Sequence, residues 1–368
     1  MRVVTGGAWF ISRRVRIVVA AGILAVGVVA LILVGWAERK ADTRFDPVTT
    51  PALAVLGLQP PRLMLLDPVS LEIERTIALR SESLDVDSCD GFLVSAQCGG
   101  PGPASDTAVC VIEPPRGSVT YVDTGYLDPE QLCSPRSGDN RWPVLHGQVE
   151  GETPLSVTVN PADRKTEPFT LPAGATLLER AGENHVVVAL DGTGQETDDA
   201  RYRLWISNGG PFELLPPVLP VVTSVWDAGE STLFACVGAG ASLADVYRLD
   251  SSSILSREMT IAGFVKGPGA VAECGGYVAV ADFDWRDPLD AGEAVVIAQS
   301  GGDGSDARRI TGLGGPIQFA TDAGSLFVLC STTGEIARVD PLSGRIEART
   351  GIGREGTDLI DVTVWRPE

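Results

Sequence analysis

Two stretches decide the fold: LMLLDPVSLEIERTIAL, residues 63–79, and IARVDPLSGRIEARTGI, residues 336–352. Each is a short apolar run that ends in aspartate, then a proline-bearing turn, then a second run of alternating polar and apolar residues. Asp-Pro opens a turn, and period-two alternation marks a strand with one buried face. Both stretches therefore read as two antiparallel strands joined by a tight turn. Weaker copies lie between them: VCVIEPPRGSVTYV (109–122), SVTVNPADRKTEPFTL (156–171), RLWISNGGPFELL (203–215) and DVYRLDSSSILSREMTI (245–261).

Asp67, Glu113, Asn160, Ser207, Asp250, Gln299 and Asp340 anchor these units at spacings of 46, 47, 47, 43, 49 and 41 residues. A second ladder of apolar runs precedes the anchors: GFLVSAQ (91–97), WPVLHGQ (142–148), HVVVAL (185–190), TLFACVG (232–238), YVAVADF (277–283) and LFVLCS (326–331). Two ladders locked to one period of about 45 residues predict an all-β fold, a seven-bladed β-propeller of four-stranded antiparallel blades. The first unit shows only an outer strand pair, and the chain ends on a lone strand-like run, Leu359–Trp365. The C-terminal run is therefore expected to supply inner strands to the first blade, leaving no open edge between first and last.

The units at 63–79 and 336–352, with their D-P-x-S-x turns, resemble blades of the YVTN and quinoprotein-like seven-bladed propellers. The resemblance covers residues 51–368 at the level of architecture. It implies a fold and not an activity, because propellers host many unrelated functions. The repeated tryptophan-docking motif of quinoproteins is absent; Trp205, Trp226, Trp285 and Trp365 are scattered. No quinone, and no other cofactor, is expected.

Of the 368 residues, the first 36 hold four arginines and no acid, although the whole chain carries a net charge of −19. Arg2, Arg13, Arg14 and Arg16 precede Ile17–Ala37, 21 residues without a charge. As a helix this run spans about 31 Å, enough to cross a bilayer core. The sequence predicts a cytoplasmic N-terminus (1–16), a transmembrane signal anchor (17–37), a linker (38–50) and a propeller ectodomain (51–368). That makes a single-pass cell-membrane protein with its C-terminal domain extracytoplasmic, since arginines stay inside. A cleaved signal peptide and a twin-arginine export signal (Ser12–Ile17) are the alternatives. Acidity excludes nucleic acid as a main partner, because phosphate contacts need clustered lysine and arginine. The expected partners are the membrane, through the N-terminal helix, and another envelope protein.

In such a blade the loops between the second and third strands, B and C, share a face with the loops joining one blade to the next. The B–C loops vary most, at 99–106, 191–200 and 284–293, and variable loops on a rigid frame usually carry binding. Two are acidic, which singles out Asp191, Asp282, Asp284, Trp285 and Asp287 as candidate binding residues. Clustered carboxylates can hold Ca²⁺; here the spacing of a known calcium loop is missing, so solvated acidic turns compete with that reading and no metal site is predicted. Asp85, Glu179, Asp227 and Glu273, near the ends of inner strands, are candidate channel carboxylates. A metal-dependent, lactonase-like hydrolase would need such a set around a divalent ion.

Seven cysteines in an exported domain permit disulfides. Cys98–Cys110 flank one loop, and Cys89–Cys133 and Cys236–Cys274 could join neighbouring units; each is alternatively a small buried apolar residue. With two histidines and no nucleophile or phosphate-loop motif, the sequence favours a binding or scaffold module of the cell envelope over the hydrolase.

Overall fold

The apolar runs of the second ladder are continuous because both of their faces are buried. In Asn184–Leu190, Val186 and Val188 enter one hydrophobic layer, and Val187 between them enters another. In Ser231–Val237, Phe234 and Cys236 point one way and Leu233 and Ala235 the other. Successive side chains on a strand point to opposite faces, so each such run lies in a sheet sandwiched between two others.

The computed structural model describes residues 43–97, 108–124, 128–133, 144–148, 155–172, 175–181, 184–190, 201–207, 210–240, 242–283, 291–353 and 358–367. Seven antiparallel sheets form, named here as blades with strands A to D from the inside out. Blade 1 is Leu359–Trp365, Ala52–Gly57, Arg62–Leu66 and Ile73–Ala78. Blade 2 is Ser83–Cys89, Phe92–Gln97, Ala108–Glu113 and Ser118–Asp123, with the two-residue strand Thr43–Arg44 at its outer edge. Blade 3 is Asp128–Cys133, Val144–Gln148, Leu155–Asn160 and Lys165–Phe169. Blade 4 is Ala175–Ala181, Asn184–Leu190, Tyr202–Ser207 and Glu213–Leu219. Blade 5 is Val222–Asp227, Ser231–Val237, Leu243–Asp250 and Leu255–Ala262. Blade 6 is Pro268–Cys274, Tyr277–Phe283, Ala291–Gln299 and Arg308–Thr311. Blade 7 is Pro316–Asp322, Ser325–Cys330, Glu335–Asp340 and Arg345–Gly351. Each A strand lies beside those of the adjacent blades, and that of blade 7 lies beside that of blade 1, so the ring is closed.

The closure differs from expectation by one strand. The C-terminal run supplies only strand A of blade 1; strand B is Ala52–Gly57, which pairs with it from Ala52↔Trp365 to Gly57↔Leu359. Trp365 is fully buried, and its indole N–H donates to the Gly91 carbonyl of blade 2 at 2.8 Å. Beyond the ring, the Phe45 N–H donates to Gly117 O and the Val48 N–H to Pro114 O, so residues 45–48, expected within the linker, line the outside of blade 2. No described helix is long and apolar enough to cross a membrane; the run 17–37 lies outside the described residues.

Apolar layers separate the blades. That between blades 1 and 2 holds Leu65, Leu93, Ile112 and Trp365, and that between 6 and 7 holds Ile297, Phe319 and Val339. Each such side chain contributes about 1.5–3 kcal/mol on leaving water. The repeated anchors have a separate job at the C–D turn. The Val69 and Ser70 N–H groups donate to Asp67, those of Leu342 and Ser343 to Asp340, that of Asp163 to Asn160, and those of Ser252 and Ile254 to Asp250. A short acid or amide at the end of a strand thus holds the following turn in shape. Four residues past the anchor the backbone turns left-handed, at Leu71, Gly117, Arg164 and Gly344, with φ from 58° to 71°; glycine takes this without a side-chain clash.

Candidate functional site

Three inner strands meet where the ring closes, and each brings a polar side chain to that seam. Asp361 comes from strand A of blade 1, Asp85 from strand A of blade 2 and Gln318 from strand A of blade 7. Asp361 is buried at 5% exposure. Its carboxylate accepts the Val86 N–H at 2.7 Å, the Val362 N–H at 2.8 Å and the Gln318 side-chain amide at 3.2 Å. It is also hydrogen-bonded to Asp85. Two carboxyl groups in one hydrogen bond need a proton between them, because like charges in a dry site cannot both persist. Burial pushes the Asp361 carboxyl above its ordinary value, against the lowering pull of Asp85, Val86, Val362 and Gln318. Next to the pair, Thr363 donates to Asp87 of blade 2 at 3.5 Å. Chemically this is a proton-sharing clasp across the seam. Both Asp361 oxygens are engaged by protein donors, so it has little to offer an incoming cation.

The other inner-strand carboxylates go elsewhere. Asp227 accepts the Gly229 N–H at 2.7 Å and so shapes its own A–B turn. Glu273 joins blade 6 to blade 5: Arg248 approaches it at 2.9 and 3.1 Å, the Glu258 carboxylate at 2.8 and 3.2 Å and the Ser231 hydroxyl at 2.6 Å. The Ser300 hydroxyl donates to Glu273 at 2.6 Å and the Gly301 N–H to Glu258 at 2.8 Å. Burial works to raise the Glu258 carboxyl, but the hydrogen bonds from Arg248, Gly301 and Ser300 overcome it and hold the group below its usual range. The Glu179 side chain lies outside the described residues. The four candidates are thus not brought together as a set: Asp85 pairs with Asp361 at the seam, and Glu273 shares Arg248 and Ser300 with Glu258 between blades 5 and 6. Among the described residues no group of His, Cys, Asp or Glu is arranged to hold a metal ion.

On the B–C loop face, Asp191, Asp284, Trp285 and Asp287 lie outside the described residues. Asp282 is fully buried rather than presented to solvent. One oxygen accepts the Val265 and Lys266 N–H groups at 3.0 and 2.8 Å, and the other meets Arg309 at 2.6 Å. Arg309 also donates to the Gly263 carbonyl. Asp282 therefore ties down the loop from blade 5 to blade 6. Asp358 acts alike at the ring seam, accepting from the Gln59 N–H at 2.9 Å and pairing with Arg62 at 2.7 Å.

The expected disulfides are corrected by burial and side-chain direction: the described residues contain none. Cys110 sits in the layer between blades 1 and 2, bonded to the Tyr121 hydroxyl, and burial pushes its thiol up to about 12. Cys98 lies outside the described residues. Cys236 faces the layer between blades 4 and 5, and Cys274 that between blades 6 and 7, so two sheets separate them. Cys89 is buried, and the side chain of Cys133 lies outside the described residues.

Sequence reasoning missed Asp361 and the Arg248 network. Asp361 carried a usable signal, an acid inside the apolar strand LIDVTVW, where burial of a charge demands partners.

Seven four-stranded antiparallel sheets closed by the C-terminal strand define a seven-bladed β-propeller. Solved propellers agree. The chain is similar to a functionally unknown protein from Desulfotomaculum acetoxidans, at 13% identity, covering 87% of this chain and 100% of that one, with a TM-score of 0.61. It is also similar to the dihydro-heme d1 dehydrogenase NirN in complex with DHE (12% identity, 89% and 80% covered, TM-score 0.56). Apo AztD from Citrobacter koseri matches at 12% identity, with 84% of each chain covered and a TM-score of 0.53. Identities this low carry the fold alone. No family model matches the chain, and no curated protein matches it.

Proposed function

We propose that the chain is a membrane-anchored, extracytoplasmic β-propeller that works as a binding and scaffold module of the cell envelope. The apolar run 17–37 would be its anchor, with Arg2, Arg13, Arg14 and Arg16 holding the N-terminus inside. The observation that carries the binding reading is the use made of the acids. Asp227 shapes a turn, Glu273 and Asp282 pair with arginines between structural elements, and Asp85 is clasped to Asp361. Carboxylates committed to holding blades in register favour a rigid presenting disc over a lactonase-like metal centre, which needs ligands with open positions. The partner is expected on the B–C loop face, with Trp285 as its contact aromatic.

Photo-crosslinking in native membranes tests this. A benzophenone side chain at position 285 of the full chain should give one discrete protein adduct. A divalent ion that copurifies one to one and is lost in Asp227→Asn or Glu273→Gln would overturn the binding reading in favour of the hydrolase.

A further inference from the structure

Residues 45–48 are fixed to one face of the ring, the face opposite the B–C loops. The Phe45 N–H donates to Gly117 O and the Val48 N–H to Pro114 O, both in the C–D turn of blade 2. Val48 is buried, Phe45 packs against the layer between blades 1 and 2, and Asp46 pairs with Arg75 at 2.8 Å. The apolar run of the sequence ends at Ala37, eight residues before Phe45. Eight residues span at most about 28 Å when fully extended. A bilayer crossed by that run therefore lies within reach of the C–D corner of blade 2 and cannot be far from it.

The charge of this corner runs against that of the chain. The turns of blades 2 and 3 present Arg116, Arg164 and Lys165, all exposed, against Glu113 and Asp163. Between the two turns a groove of about 200 Å³ has Arg116, Arg164 and Ser118 in its lining. Glu113 holds Arg116 at 3.0 Å, but the Arg116 side chain is 78% exposed and the pair is worth little. Across the ring the same face is acidic. The turns of blades 5 and 6 carry Glu230, Asp250, Asp303 and Asp306, and Arg308 beside them is turned to the carbonyls of Pro341 and Leu342. Like charge repels the blade 5 and 6 side from an anionic surface, and the blade 2 and 3 side is drawn to it.

We propose that the C–D corner of blades 2 and 3 docks on the anionic lipid surface of the bilayer that the anchor crosses. The acidic side of the face then tilts away, and the B–C loops point from the membrane toward a protein partner. The proposal rests on the anchor reading and deepens it by giving the propeller an orientation.

The test reconstitutes the full chain in vesicles of one part phosphatidylglycerol to two parts phosphatidylcholine, with a trace of lipid bearing a nitroxide on its headgroup. A dye-bearing residue is placed at position 162 in the blade 3 turn, at 254 in the blade 5 turn, or at 265 on the opposite face; Ala162, Ile254 and Val265 are all exposed. Quenching should be strongest at 162, weaker at 254 and weakest at 265. Arg116→Gln and Lys165→Gln should each lower the ratio of docked to undocked chain about fivefold, the ~1 kcal/mol that a basic residue gains at an anionic surface. Vesicles of phosphatidylcholine alone should even out the three positions. So should a rise in salt from about 0.1 M to about 1 M, which cuts the Debye length from ~10 Å to ~3 Å. Quenching at 254 or 265 equal to that at 162 overturns the proposal, as does quenching at 162 that is unchanged in both variants. Inorganic phosphate that abolishes the quenching at constant ionic strength also overturns it, and makes the groove a site for a free anion. A chain that does not float with the vesicles brings down the anchor reading itself, whereas one that floats but is quenched evenly leaves the anchor standing and removes only the orientation.

Discussion

Asp85→Asn probes the clasp at the ring seam. If Asp85 and Asp361 share a proton, the folded chain binds that proton at pH values where the unfolded chain has released it. Stability then falls as pH rises above the ordinary aspartate value of 3.8, and the fall ends where the raised folded value of Asp361 is passed. The slope is about 1.4 kcal/mol per pH unit inside that window. Asparagine at position 85 offers a permanent N–H. Asp361 then remains a carboxylate with donors from Val86, Val362, Gln318 and the new amide, and no proton is taken up on folding.

The observable is the difference in unfolding free energy between variant and parent, from urea titrations between pH 4 and pH 7.5 at fixed ionic strength. Taking the difference cancels the titration of the other acids. The variant should gain on the parent by about 1.4 kcal/mol for each pH unit above roughly 4, then hold a constant lead. Asp361→Ala is the control. It leaves the Val86 and Val362 N–H groups and the Gln318 amide without their acceptor, at about 1–3 kcal/mol for each buried group at every pH. Parallel pH curves for parent and Asp85→Asn would refute the shared proton.

Three further outcomes follow from the same bonds. Arg248→Met leaves Glu258 and Glu273 facing each other; because Arg248 is a quarter exposed, the loss in urea unfolding should be about 2–3 kcal/mol, below the fully buried figure. Since Arg248 holds the Glu258 carboxyl below its usual 4.5, that loss is present at pH 7 and fades as pH falls below 4.5. Asp282→Asn presents an amide to Arg309 and should cost about 2–4 kcal/mol, with faster hydrogen exchange at Val265 and Lys266 while exchange in blade 2 is unchanged. Cys110, Cys236, Cys274 and Cys330 are buried thiols; burial raises all four, Cys274 to about 11 and Cys330 to about 12. Mass spectrometry after iodoacetamide at pH 8 should find them unmodified in the native chain and alkylated in urea.

The repeat made the fold legible, because seven anchors at one period leave few other ways to bury both faces of every second-ladder strand. The anchors were legible as turn-formers for a local reason: an acid where a strand gives way to Pro can reach only the next few N–H groups. What stayed hidden depends on side-chain direction and on ring geometry. Asp361 meets Val86, 275 residues away, only once the C-terminal strand lies against blade 2. The run itself does not tell which strand of blade 1 it supplies; that depends on Ala52–Gly57, which takes the second place beside it. The misplaced disulfide shows how far parity alone can go. Cys236 follows Phe234 by two, so the pair share a face toward blade 4, while Cys274 closes a strand whose like-facing residues, Ala272 and Ala270, look toward blade 7. Two cysteines in adjacent blades that point away from each other cannot be joined. The same parity places Asp282 and Asp361 within apolar strands, which marks an acid as buried and bonded. The acids left as candidates for binding a partner are those of the sequence beyond the strand ends, Asp191, Asp284 and Asp287, which lie outside the described residues.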